Sequence, residues 1–127
     1  MNIEELRQYC LSLPESSEKL PFERFFRGRH SILAFYTAGH IFCFIDIDNP
    51  YICTVKCPAA RRDEFAERYE GIVSPYNMDP HSWIGIRLES DLDDTQIHSL
   101  IRQSYDTVRG GGRKNAEFKL QMQRNSY

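Results

Sequence analysis

SILAFYTAGHIFCFIDIDNPYICTVKC, residues 31–57, decides how this chain is built. Three runs rich in β-branched and aromatic residues, Ser31–Thr37, His40–Ile47 and Tyr51–Cys57, are separated only by Ala38-Gly39 and Asp48-Asn49-Pro50. Breaks that short join antiparallel strands as hairpins, because a parallel crossover needs a dozen or more residues. The stretch therefore predicts an antiparallel meander, a sheet that needs cover on at least one face.

The flanking sequence supplies that cover. Asn2 followed three residues later by Glu5 is a helix-start signal, and Ile3, Leu6, Cys10 and Leu13 recur at helical spacing until Pro14, which predicts a helix over Ile3–Leu13. Glu15–Phe22 reads as a polar loop returning to the sheet. After the meander, Pro58 suits a first helical position, and Phe65 and Tyr69 share one face of a helix over Pro58–Glu70 that Gly71 stops. Ile72–Pro80 reads as irregular, and Ser82–Leu88 alternates as a fourth strand. Asp91, Asp93 and Asp94 then precede a last helix carrying Ile97, Leu100, Ile101, Tyr105 and Val108, with Arg109 at its end. The expected fold is a single α+β domain, helix, three-strand antiparallel meander, helix, strand, helix, with the helices on one face of the sheet. Residues 1–109 form the domain, and 110–127, beginning at Gly110-Gly111-Gly112, are expected to be a basic, mobile tail.

A chain of 127 residues can bury roughly two thirds of its unfolded surface in one core, so it needs neither disulfides nor metal to fold. Its net charge of −2 gives no overall attraction to nucleic acid or anionic lipid. The charge is uneven, however: the residues from Thr107 onward carry +4, which leaves −6 on the body. Glu4 and Glu5 stand where a signal peptide needs a basic and then apolar run, and no apolar stretch approaches the roughly 20 residues that span a bilayer. A cytoplasmic protein with no membrane partner is expected, with Cys10, Cys43, Cys53 and Cys57 as free thiols.

Specific residues add a resemblance. Asn2-Ile3-Glu4-Glu5-Leu6-Arg7, Tyr9-Cys10-Leu11-Ser12-Leu13-Pro14, Pro21-Phe22, Lys56-Cys57, Asp91-Leu92 and Ser104-Tyr105-Asp106-Thr107-Val108 together resemble the MmcQ/YjbR family over residues 1 to about 109. The resemblance implies a compact α+β fold similar to that of frataxin, and a DNA-binding role of the kind proposed for family members, which carry hairpin wings. One run departs from it. The family's usual Met-Asn-Lys-x-His-Trp appears as Met78-Asp79-Pro80-His81-Ser82-Trp83, so Met78 and Trp83 are kept while Pro80 stands at the lysine position. The resemblance thus carries the fold further than it carries DNA binding.

Parity along the strands separates two faces. Ile41, Cys43, Ile45, Tyr51, Cys53, Val55, Ile84, Ile86 and Leu88 are expected on the helix-covered side, and Phe42, Phe44, Ile52, Thr54, Lys56, Trp83 and Arg87 on the other. Aromatics beside cations on an open sheet make a stacking platform for single strands, with Phe42, Phe44 and Trp83 as the rings. The competing expectation is that the N-terminal loop, the tail, a second copy of the chain or another protein covers them. Arg24, Arg27, Arg29 and His30, with Lys56 and Arg87, form either a phosphate-contacting edge or solvated surface charge.

Catalytic and metal chemistry find little here. Cys53 and Cys57 are four apart on one strand, about 13 Å by strand rise, too far to share a zinc ion. Asp46, Asp48 and Asn49 open like a calcium loop, yet Gly is missing at the sixth position and Cys57 stands at the twelfth. Only Glu4 and Glu5 are available on the first helix for iron. There is no G-x-S-x-G, H-E-x-x-H or phosphate loop, and His30, His40, His81 and His98 have no acidic partner at an obvious spacing. His81, near Trp83, is weighed as a site residue against a loop-anchoring role. A non-catalytic protein without cofactor or metal is expected, binding DNA weakly; the alternative is an interaction module or homodimer that uses the aromatic outer face.

Overall fold

The computed structural model describes residues 1–20, 31–76 and 78–110. Helix α1 (Ile3–Ser12) starts at a full capping box, in which the Glu5 amide donates to Asn2 Oδ1 at 2.8 Å and the Asn2 amide to Glu5 Oε1 at 3.0 Å. Strands β1 (Ser17–Lys19), β2 (Ile32–Thr37), β3 (His40–Asp46) and β4 (Asn49–Lys56) follow, then α2 (Ala59–Arg68), β5 (Ile72–Val73), β6 (Trp83–Arg87) and α3 (Asp94–Arg109). The six strands form one antiparallel sheet in the order β1-β2-β3-β4-β6-β5. Helix α3 opens with a second capping box, Asp93 with Gln96. Among the described residues no helix is long and apolar enough to cross a membrane.

The meander, the three helices and the strand at Trp83 follow the sequence expectation, and two further strands do not. Ser17–Lys19, expected within a loop, is an edge strand paired with β2, and Ile72–Val73, expected to be irregular, pairs with β6. Neither has an apolar alternation to announce it: β1 is Ser-Glu-Lys and β5 has two residues. What fixes β1 is electrostatic as well as backbone pairing. Arg7 of α1 grips Glu18 with two parallel contacts, Nε to Oε2 at 2.7 Å and Nη2 to Oε1 at 2.8 Å, and this holds the Glu18 carboxyl below its usual range.

Helices α1 and α3 cover one face. Leu6, Cys10 and Leu13 pack with Ile97, Leu100, Ile101, Tyr105 and Val108 against Phe35, Cys43, Ile45, Cys53, Val55, Ile84 and Ile86 of the sheet. Helix α2 buries no residue fully and leans on this core through Phe65 and Tyr69. Its end is tied to the start of α3 by Asp91, whose carboxylate accepts from the Glu70 and Gly71 amides, both at 2.9 Å. Those two amides are among the reasons the Asp91 carboxyl lies below its ordinary value, the Glu70 bond first.

The register departs from simple parity at Phe42. Phe35 pairs with Cys43 but Tyr36 with Ile41, so β3 holds one residue more than β2 at that point, a β-bulge. Phe42 thereby joins Cys43 on the helix-covered side, fully buried with its ring edge-on to Tyr105 at 5.4 Å, and Ile41 turns to the opposite face. Both are reversals of the expected assignment. A second slip lies between Ile45 and Asp46, which pair with Cys53 and Asn49. Tyr51 falls inside it without a partner in the β3 register and is 68% exposed rather than buried.

Ser104 closes a gap at the end of the β3–β4 ladder, whose last pair there is Cys43 with Val55. Its hydroxyl donates to the Phe42 carbonyl at 2.6 Å and accepts from the Lys56 amide at 2.9 Å, standing between two groups that a regular β3–β4 ladder brings together directly. The next residue, Tyr105, donates its hydroxyl to the Pro14 carbonyl at 2.5 Å and so ties α3 to the end of α1. Arg109 reaches the buried Thr37 hydroxyl at 2.9 Å.

Ser104→Ala is expected to cost about 1–3 kcal/mol, because it strands a buried carbonyl and a half-buried amide, whereas a surface Ser12→Ala costs little; urea unfolding of the two variants measures the difference. Asp91 gives a pH test. Its folded pKa lies below the unfolded one, so its stabilisation is present above about pH 4 and lost as pH falls through the folded value. Asp91→Asn is expected to show a smaller loss of stability between about pH 7 and pH 3 than the parent chain, read from thermal midpoints.

Candidate nucleic-acid interface

The sheet face away from α1 and α3 carries Ile32, Ala34 and Tyr36 of β2, Ile41 and Phe44 of β3, Ile52, Thr54 and Lys56 of β4, and Trp83 and Arg87 of β6. Much of it is covered by the chain itself. Beyond β5 the backbone turns over this face: the Ser74 carbonyl lies 2.6 Å from where a Cβ on Gly85 would stand, and the Tyr76 amide donates to the buried Thr54 hydroxyl at 3.4 Å. Gly85 sits directly opposite Thr54, so the crossing needs a residue without a side chain at that position. Tyr76 then meets Phe44 edge-on at 6.4 Å, and Met78 packs on the same small cluster. Phe44 is 1% exposed. A cavity of about 120 Å³, lined by Ile32, Phe44, Ile52, Thr54, Ser74 and Tyr76 among others, remains beside the crossing segment.

Of the three rings expected to form a stacking platform, Phe42 faces the helices and Phe44 is covered. Trp83 remains, half-buried and tilted against Phe44 at 6.1 Å. It is registered directly across from Lys56, whose ammonium lies 5.5 Å from the ring centre. A contact of that kind at a partly exposed site is worth about 0.5–1 kcal/mol, little enough for Lys56 to leave the ring when an anion is offered.

Arg87 shares the face but not the corner. It lies four residues along β6 from Trp83, about 13 Å by strand rise, and lines a shallow depression with Glu70, Glu89, Ser90 and Asp91. Three carboxylates there offset its charge, so of the expected row's described members Lys56 and Trp83 stand together. The remaining candidates of the cationic edge, Arg24, Arg27, Arg29 and His30, lie outside the described residues, as does the chain from Gly111 onward.

A cation that sequence reasoning overlooked comes from α2. Arg62 donates from Nη1 to the Pro80 carbonyl at 2.5 Å, which places a guanidinium beside the position where the resemblance expects lysine. Arg62 also holds Asp63 at 3.0 Å. Its spacing from Pro80 in the sequence carried no hint of this contact. His81, by contrast, serves the loop. Asp79 Oδ1 accepts from the His81 amide at 2.9 Å and lies 3.1 Å from its Nδ1, while the Asp79 carbonyl accepts from the Ser82 and Trp83 amides, both at 3.0 Å. The acidic partner that spacing did not suggest is thus two residues away, and the pair, 79% and 63% exposed, shapes the turn that launches β6. These bonds, the His81 amide foremost, hold the Asp79 carboxyl below its ordinary value.

The four cysteines are free and buried. Hydrogen bonding with the Cys10 and Cys53 thiols, together with burial, pushes the Cys43 thiol well up, and burial raises that of Cys57. Thiols in that condition stay protonated and act as small core residues. No cluster of His, Cys, Asp and Glu among the described residues has a metal-holding arrangement.

Comparison with known proteins fits this architecture. Residues 11–107 match the family model YjbR. The chain belongs to the YjbR family. Its fold is shared with the crystal structure of Deinococcus radiodurans protein DR2400, a DUF419 domain, at a TM-score of 0.74 and 22% identity over 91% of this chain and 85% of that one. A Pseudomonas syringae protein superposes with a TM-score of 0.66 at 19% identity, covering 82% of this chain and 96% of its own. These likenesses are of fold. No curated protein matched the sequence. Within the YjbR frame, the residues that carried the resemblance prove to be joints between elements: Tyr9 stacks on His98 at 3.9 Å, Pro14 receives Tyr105, Asp91 ties α2 to α3, and Ser104 bridges β3 and β4.

Gly85→Ala tests the crossing segment. The new methyl meets the Ser74 carbonyl and Val73 Cγ2 inside contact distance, so the segment or β5 has to shift. A loss of about 1–3 kcal/mol is expected, with a red shift of Trp83 emission as its surroundings open; an unchanged spectrum and midpoint rule out the tight crossing.

Proposed function

We propose that this YjbR-family chain is a non-catalytic, cytoplasmic DNA-binding protein that contacts its ligand through the corner formed by Lys56, Arg62 and Trp83. The observation that carries the reading is the Lys56 ammonium resting on the Trp83 ring, with the Arg62 guanidinium held at the adjoining turn. Two cations meet phosphate oxygens and the ring offers a stacking surface, the combination that DNA contacts use. The body is acidic, so the attraction is local, weak and strongly salt-dependent. Buried thiols and a His81 engaged in its own turn support a binding role over a catalytic one. The protein-interaction alternative loses its basis in the outer rings, since Phe42 and Phe44 are already packed within the chain.

Fluorescence anisotropy of labelled DNA at about 50 mM and 200 mM salt tests the reading. Binding at the lower salt that collapses at the higher is expected, with Lys56→Ala flattening the log–log salt slope by roughly one unit and Arg87→Ala leaving it unchanged. Absence of binding at about 50 mM salt, where phosphate contacts are strongest, overturns it.

A further inference from the structure

Resting on that reading, we propose that the DNA taken by this corner is single-stranded, with one unpaired base stacked on Trp83 while the Lys56 ammonium moves from the ring to the neighbouring phosphate. The geometry favours this over a duplex. A ring stacks only on a base whose face is open, and in a duplex those faces are closed by their neighbours, leaving edges in the grooves. Reading a groove needs a helix or a two-stranded ribbon that projects. Here α1 and α3 are packed on the opposite face of the sheet, the outward side of α3 carries the Arg102–Asp106 pair at 3.2 Å, and α2, beside the corner, has Arg62 tied to Asp63 at 3.0 Å and to the Pro80 carbonyl. Of the rings expected on the outer face, Trp83 alone combines partial exposure with a cation on the paired strand. Phe44 supports it from behind and is itself closed over by Tyr76, so the corner holds one base rather than a row.

Trp83 is the sole tryptophan of the chain, so its emission reports on this contact directly. The full chain is titrated at about 50 mM salt with a short thymidine oligonucleotide and, separately, with a duplex of the same length. Quenching by the single strand, with affinity at least about tenfold above that for the duplex, is the expected result. Equal or tighter duplex binding overturns the single-strand inference while leaving DNA binding standing. Failure of both ligands overturns the DNA-binding reading with it. Anisotropy of the labelled oligonucleotide then compares Trp83→Phe, which keeps a stacking ring, with Trp83→Leu, which does not. Only the leucine variant is expected to lose the preference for the single strand, and circular dichroism and the thermal midpoint confirm that both are folded. Lys56→Gln is expected to lower the single-strand salt slope by about 0.7; equal behaviour of the phenylalanine and leucine variants removes stacking from the account.

Discussion

The Ser104 hydroxyl, donating to Phe42 and accepting from Lys56, is the contact on which the arrangement of both sheet faces depends. The β3–β4 ladder stops at Cys43 and Val55, so the next carbonyl and amide do not reach each other, and in a core such groups are costly unless something else bonds them. Here a helix provides the missing partner. Because Ser104 sits on α3, one turn of that helix is fixed against β3 and β4 at once, and the adjacent Tyr105 carries the connection on to Pro14 and α1. The residue held in this way is Phe42, whose ring becomes part of the helical side of the core.

That displacement also decides what the outer face can be. With Phe42 withdrawn and Ile41 turned outward instead, the face over β2 and β3 keeps Phe44 and Tyr36 among aliphatic neighbours, and it is closed further by Tyr76 and Met78. Gly85 makes the closure possible by letting a backbone carbonyl lie where a side chain otherwise stands. Chemistry suited to an anion survives at the end of the sheet where β4 runs into α2. There the strand pairing sets Lys56 against Trp83, and α2 delivers Arg62 to the turn before β6.

Much of this fold is legible in the residues. Asn2 with Glu5 and the acids from Asp91 to Asp94 mark helix starts that are present as capping boxes and ties, and the break at Ala38-Gly39 falls where expected, while the second turn is Ile47-Asp48, one residue earlier than Asp48-Asn49-Pro50, with Asn49 and Pro50 already in β4. In the first break Ala38 and Gly39 both adopt positive φ, as a two-residue hairpin turn needs. What escaped depended on contacts between distant parts of the chain. Parity assumes an unbroken register, so it inverted Ile41 and Phe42, and the bulge that inverts them is held by a serine more than sixty residues away. Ser17–Lys19 is a strand because β2 offers a ladder and Arg7 a charge, neither of which is encoded locally. Arg62 was unremarkable until α2 was seen to pack it against Pro80.

The two outermost strands have a further meaning. One rim of the sheet is Ser17–Lys19, three polar residues with a charge on either side of the pleat, and the other is the two-residue Ile72–Val73. Rims this short offer few unpaired amides and carbonyls, and charge along an edge discourages another chain from extending the ladder. Among the described residues the sheet is in this sense finished at both margins: the hydrogen-bonding pattern that builds it does not invite its own continuation, which protects six strands, five of them carrying isoleucine, phenylalanine or valine, from growing into a polymer.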